Sequence, residues 1–307
     1  MIMSDMEQAV GLELVKIIQL TIPYAVASPA TGLEEKAAEA LEKTEIIASM
    51  PHALEALVEP YIGDEDDKPF GYLSFIGLLQ QQLQKERENG WELSVLPRPY
   101  KAIKKEENGT EEPAAAPKHA FPTVTVPSPV NPGPNQLFPE AYFSLYADQD
   151  IETVPRTDNI AACLMRDAIV DTINMLDFNR IAVAKFLIDL DCFWAPETFI
   201  KRGTPFDKLK ELAGDKSTWK PEDMAIDAVF AQLFRLPQPE HKLVYYHSVI
   251  TETCKVAPAA VAPSLGRAIR FLFRHLPAMD MELSYRFMDW FAHHLSNFDF
   301  RWKWTEW

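Results

Sequence analysis

Glycine is scarce in this chain, 11 residues in 307 against 24 prolines. That balance argues against a protein built from Gly-rich loops and for helices joined by stiff turns. Cysteine is scarcer still. Cys163, Cys192 and Cys254 are odd in number and far apart, which excludes a disulfide framework and fits a reduced, intracellular protein. No basic run precedes an apolar one in the first ten residues, so no secretory signal is read. Long apolar runs are missing too. The uncharged stretch Ile17 to Leu33 contains Pro23, Pro29 and several polar residues, so no membrane contact is expected.

Catalytic signatures are equally absent. The chain has no P-loop, Gly-x-Gly-x-x-Gly, Gly-x-Ser-x-Gly, His-Glu-x-x-His or Cys-x-x-Cys. Gly214-Asp-Lys-Ser217 comes nearest to a phosphate loop, but the upstream glycine and the preceding strand are lacking. Neither an enzyme nor a cofactor is expected. Strand-turn-strand signals do not occur either.

Basic charge is short in one half only. Residues 1–200 hold 15 Lys/Arg and 32 Asp/Glu, whereas residues 201–307 hold 15 and 13. An acidic chain does not gather phosphates through its bulk field, so any nucleic-acid contact has to be local or made by a partner.

What is present is helical periodicity. Helices are predicted over about 6–24, 33–60 and 70–88, the first from Val10, Leu14, Ile17 and Ile18 at helical spacing. Between Pro113 and Pro139 stand eight prolines, a composition for extended chain that builds no core. Helices then resume. Asp158 is the expected N-cap of the next one, and a second spans 179–193. Pro221 followed by Glu222 and Asp223 opens a third. Others are expected over 242–256, 263–276 and 280–298. The fold class is all-α, a HEAT/armadillo-like repeat of antiparallel helix pairs. Its expected divisions are 1–100, the C-terminal part of a first domain; 101–136, a Pro-rich linker; and 137–307, a second domain expected to be truncated at its C-terminal side.

Several residues stand out as interaction candidates. Arg267, Arg270 and Arg274 fall three and four residues apart, opposite Leu265, Ile269, Leu272 and Leu276. They read first as a solvated polar face, with docking of an acidic partner or RNA phosphate as the alternative. On the last helix, Leu283, Phe287, Trp290 and His294 share one face, and His294 is expected in the core on a neighbouring carbonyl. His293 lies on the opposite flank one turn after Asp289, with which it is expected to pair. These two provide too few ligands for a metal site. His247 faces the core with Ile250 and Cys254. Asn297, Arg301 and Lys303 complete the set of candidates for partner contact.

Four of the seven tryptophans lie in the last nineteen residues. Arg301-Trp-Lys-Trp304 has the aromatic-basic interleaving of single-strand binders. Its alternation of large apolar and charged residues favours packing instead, with Trp302, Trp304 and Trp307 expected against a further helix pair beyond Trp307.

Phe291-Ala-His-His-Leu-Ser-Asn-Phe-Asp-Phe-Arg-Trp-Lys-Trp-Thr-Glu-Trp307 resembles the hallmark of the large subunit of the nuclear cap-binding complex. Val229-Phe-Ala-Gln-Leu-Phe-Arg-Leu-Pro-Gln-Pro-Glu-His241 and Arg98-Pro-Tyr100 are similar to the same family. The likeness is densest over 223–307, thinner over 70–175 and faint before 60. It implies helical domains similar to the middle domain of the translation-initiation scaffold. It also implies a role: holding a small RRM-containing subunit whose aromatic pair stacks the 7-methylguanosine cap, so that capped RNA is bound indirectly. Recruitment of export, splicing, processing and nonsense-mediated-decay factors is implied as well, in the nucleus with shuttling to the cytoplasm. Against the family's pattern, most of the first domain, a basic import segment and the third domain are expected to be missing from this chain. It also carries extra residues from Trp194 to Trp219. A generic helical adaptor of translation initiation or mRNA decay is the alternative, and a helical enzyme the remote one.

Overall fold

The computed structural model describes residues 9–51, 74–100, 140, 142–146, 149–212, 214 and 216–307. The Pro-rich linker at 101–136 and the acidic turn at 63–67 lie outside them. Among the described residues, all regular structure is helical, with ten α-helices and no strand. Contacts divide the chain into two compact units, and the described parts are 9–51 with 79–100, and 74–78 with 140–307.

The first unit contains α1 (Ala9–Ala27), α2 (Leu33–Ala48) and most of α3 (Phe75–Glu88). Gly32 precedes α2 at φ 74°, in the left-handed region that only glycine enters without strain. Val15, Ile22, Leu41, Leu79 and Leu83 form the apolar core. A neutral polar knot crosses it. Gln80 Oε1 accepts from Gln19 Nε2 at 2.9 Å and from the Thr44 hydroxyl at 2.9 Å, while Gln80 Nε2 donates to the Leu41 carbonyl at 2.9 Å. One α3 side chain thus bonds to both other helices. After α3, Arg98 Nη2 donates to the carbonyls of Trp91 and Glu92, and the Tyr100 hydroxyl to that of Ala27. Those bonds hold Trp91, Leu93, Val95 and Leu96 in the interior.

The second unit contains α4 (Ile160–Met175), α5 (Arg180–Ile188), the single turn α6 (Phe206–Leu209) and α7 (Pro221–Leu233). It continues with α8 (Leu243–Val256), α9 (Pro258–His275) and α10 (Met281–Asn297). Pro221 starts α7 where its missing N–H costs nothing. Every α7 residue except Ala231 is buried. α4, α5, α8 and α9 all touch this central helix, and α8 runs along α5 and against α10. Phe230 of α7 meets Trp290 of α10 edge to face at 4.8 Å, a geometry that adds to the burial of both rings.

The start of α4 differs from expectation: its cap is Asn159, whose side chain accepts from the Ala161 N–H at 2.9 Å, rather than Asp158. α5 ends at Ile188 and continues only as a 3-10 turn over Leu190–Phe193. α9 begins at Pro258 instead of Pro263, because Pro258 fits the first helical position and Pro263 is tolerated on the solvent side. The extra residues 194–219 leave and return at one place. Ile200 N–H donates to the Trp219 carbonyl at 2.9 Å and the Ser217 hydroxyl to that of Thr198 at 2.7 Å.

Candidate interaction surface

The three arginines of α9 do not form an open stripe. Arg267 turns inward, where its Nη2 lies 2.5 Å from both carboxylate oxygens of the fully buried Asp223. Its Nη1 donates to Gln149 at 3.1 Å, and its guanidinium lies over Phe206 and Tyr146. Burial pushes the Asp223 carboxyl up, and the arginine charge pulls it back. Arg270 is half-engaged: Nε donates to Glu306 Oε2 at 2.8 Å, Nη1 to the Gly266 carbonyl at 3.0 Å, and Trp302 lies beneath it. The hydrogen bond from Arg270 holds the Glu306 carboxyl below its usual range. Arg274 alone faces solvent, with Nε on the Arg270 carbonyl. An α-helix places i and i+7 about two turns apart on one face, yet here each successive arginine is freer than the last.

The α10 candidates separate in the same way. Asp289 is exposed and makes no ion pair with His293. The His293 ring instead stands 5.2 Å from that of His247 on α8. Asn297 closes over it, donating to the His293 carbonyl at 2.8 Å. Burial, helped by the neighbouring His293, lowers His247 to about 4. His294 is lowered to about 4 for the same two reasons. It stacks on Trp290 at 5.3 Å, but its buried Nδ1 has no hydrogen-bond partner, so the expected carbonyl contact does not form. Both imidazoles are therefore neutral at pH 7. Cys254, seven residues after His247 on α8, is buried, which pushes its thiol up to about 12 and removes it as a nucleophile. Among the described residues, no group of three or more His, Cys, Asp or Glu is placed to hold a metal ion. Nor is any described helix long and apolar enough to cross a membrane.

The aromatic end folds back on the last two helices. Trp307 stacks on Phe273 at 3.8 Å, and Trp302 meets Phe291 edge to face at 5.8 Å. Asp299 and Phe300 both sit at φ 55°, turning the chain sharply after α10, and Phe300 N–H donates to the Leu295 carbonyl. Trp302 is thus partly covered, whereas Trp307 keeps 39% of its surface exposed despite its stacking, and Phe300 and Trp304 stay half-exposed or more. Arg301 and Lys303 project beside them at 85% and 77% exposure, too open for their long ion pairs to fix them.

Two groups escaped the sequence reading. One is apolar and exposed: Met281, Tyr285 and Met288 along α10, Met175, Phe178 and Ile181 around the α4–α5 turn, and Val244 at the start of α8. The 281-285-288 spacing was readable as a second helical stripe. The other is charged and buried. Arg166 pairs with Asp227, and Lys220 Nζ lies 2.7 Å from Glu222. Arg286 donates to the carbonyls of Leu233, Arg235 and Pro237, capping the end of α7.

Residues 155–307 match the family described as MIF4G like. A Schizosaccharomyces pombe protein, nuclear cap-binding protein subunit 1, is 33% identical over 305 residues, which is 97% of this chain and 37% of that protein. The Saccharomyces cerevisiae nuclear cap-binding protein complex subunit 1 is 37% identical over 161 residues, 52% of this chain and 19% of that one. The human subunit 1 is 27% identical over 245 residues, 78% of this chain and 27% of its own. The chain thus spans about a third of the length of the S. pombe relative. With an all-helical fold and a sequence aligned to that relative almost from end to end, the chain belongs to the family of the large subunit of the nuclear cap-binding complex, whose helical second unit here is MIF4G like.

Proposed function

We propose that this chain is scaffold rather than enzyme: a part of the large subunit of a nuclear cap-binding complex. In this reading it supports a small RRM-containing subunit on the 7-methylguanosine cap of polymerase II transcripts and so binds capped RNA indirectly. Factors for processing, export and decay dock on it, and it works in the nucleus and shuttles to the cytoplasm. The observation that carries the reading is the alignment to the S. pombe subunit over 97% of the chain. The closed interior supports it, since His247, His294 and Cys254 are held in unreactive forms. The divisions at 1–100, 101–136 and 137–307 belong to the same proposal. Partner contact is assigned to the exposed candidates Arg274, Asp289, Asn297, Arg301 and Lys303, with Arg267, Arg270 and His293 supporting them from within.

The test is co-purification with the small RRM subunit on cap-analogue resin. Retention that depends on the small subunit is expected. Loss of retention in the presence of that subunit, for a version carrying the flanking regions of its relatives, would sink the proposal. The MIF4G-like match favours one second reading, an adaptor of translation initiation or mRNA decay. Binding to a helicase or initiation factor, with indifference to the RRM subunit, would select it.

A further inference from the structure

The segment Tyr142–Tyr146, which precedes α4 by thirteen residues, has no regular secondary structure, yet Leu145 and Tyr146 are buried. Among the described residues no main-chain to main-chain hydrogen bond holds it. Side chains do so instead, in two tiers of one design. α7 presents two buried carboxylates one turn apart, Asp223 and Asp227. Each is met by an arginine from a different helix, Arg166 of α4 on Asp227 and Arg267 of α9 on Asp223. Each arginine then lies against a tyrosine of the segment, at 4.4 Å from the Tyr142 ring and 5.4 Å from the Tyr146 ring. The four-residue spacing on α7 is thus repeated in the segment. A charged plane over an aromatic face gains most where water is excluded.

The remaining contacts fill in the tiers. Leu145 N–H donates to Asp227 Oδ1 at 2.6 Å, and the Tyr146 N–H donates to the Ser144 hydroxyl at 3.3 Å. The Tyr146 hydroxyl donates to the Ser264 carbonyl at 3.0 Å, and that of Tyr142 to the Ala162 carbonyl at 3.3 Å. Phe143 meets Phe234 edge to face at 5.7 Å. Every residue of the segment is engaged, and none through a backbone ladder.

We infer that Tyr142–Tyr146 is a releasable strap, clamped onto the helices of the second unit by a two-tier carboxylate–arginine–tyrosine ladder. A segment held only by side chains opens without unfolding the helices beneath it, and opening is local because each helix keeps its own main-chain bonds. The ladder also accounts for two ion pairs in an interior where apolar residues of like size often serve stability as well. An apolar side chain at 227 has no acceptor for the Leu145 N–H.

Hydrogen–deuterium exchange of the 307-residue chain across sub-denaturing urea tests this. Peptides over 142–146 are expected to lose protection at lower urea than peptides of α7. Asp227→Asn should speed strap exchange about tenfold or more, with α8 and α10 changed less than about twofold. Tyr146→Phe removes one hydroxyl without changing shape, so it decides the matter if Asp227→Asn does not fold; strap exchange should rise about three- to tenfold. The inference is overturned if strap and α7 open together at every urea concentration. It is equally overturned if Tyr146→Phe leaves the strap's exchange unchanged.

Discussion

The two units carry polar groups through helical cores by opposite means. In the first, Gln80 ties α1 and α2 together with neutral amide and hydroxyl bonds. In the second, full charges are taken inside, with Arg166 on Asp227 and Arg267 on Asp223. Neutral bonds cost little to bury and return little, so the first knot holds three helices without making stability depend on pH. Buried charges cost much more to desolvate and repay it only when every partner is present. The second solution gains directionality: Asp227 addresses an arginine and a main-chain N–H at once. Specification of one packing arrangement, rather than added stability, is what the charged core supplies.

Removing one partner from each core should break that comparison most visibly. Asp227→Ala leaves Arg166 buried and uncompensated and the Leu145 N–H without its acceptor. The expected loss in the second unit is about 3–5 kcal/mol. Urea denaturation followed through the tryptophans of the second unit measures it, and a loss under about 1 kcal/mol would show that water or a rearranged neighbour replaces the carboxylate.

Acid sharpens the contrast next. His247 and His294 titrate near 4 in the folded protein, against 6.5 when free. As pH falls, the unfolded chain takes up these protons first. Their contribution is complete above pH 6.5 and drains away between 6.5 and 4. Allowing for solvent screening, the two together account for on the order of 2 kcal/mol. Among its described residues the first unit has no histidine, so its stability should stay nearly level over that window. Urea midpoints at pH 7.5 and 5.0 compare them, and His247→Phe should flatten the second unit's response.

A smaller effect is expected in the neutral knot. Gln80→Ala takes one partner each from the Gln19 amide, the Thr44 hydroxyl and the Leu41 carbonyl, of which the last two keep their own 3.0 Å bond, and all three groups are uncharged. About 1–3 kcal/mol should be lost, below the loss for Asp227→Ala. If the two losses prove equal, charge is not what distinguishes the cores.

The sequence made the helices legible because their signals are local. Pro221 with two acids, and Asp280 ahead of Met281, mark starts within one turn. Core faces on α8 and α10 followed from spacing, and His247, Phe287 and Trp290 are buried as that spacing requires. The ion pairs were illegible because Arg166 and Asp227 stand 61 residues apart, and no periodicity couples them. Arg267 shows the limit most plainly. Its helical position placed it opposite the apolar stripe, but a long side chain beside a buried carboxylate folds inward whatever its Cα position.

The same distinction among the candidate surface residues yields the smallest effect on stability and the most specific one on function. Arg301 and Lys303 are 85% and 77% exposed, and their ion pairs of 3.7 Å are too open to matter to the fold. The double change Arg301→Ala with Lys303→Ala should shift unfolding by no more than about 0.5 kcal/mol. Arg267→Ala, one helix away, should cost several times that, because it leaves Asp223 buried without its counter-charge. If the proposed function holds, co-purification with a small RRM subunit should respond in the reverse sense, falling for the exposed pair at unchanged stability. Should both variants lose retention only in proportion to lost folding, Arg301 and Lys303 are solvated charges, and partner contact belongs instead to exposed apolar residues such as Tyr285 and Met288.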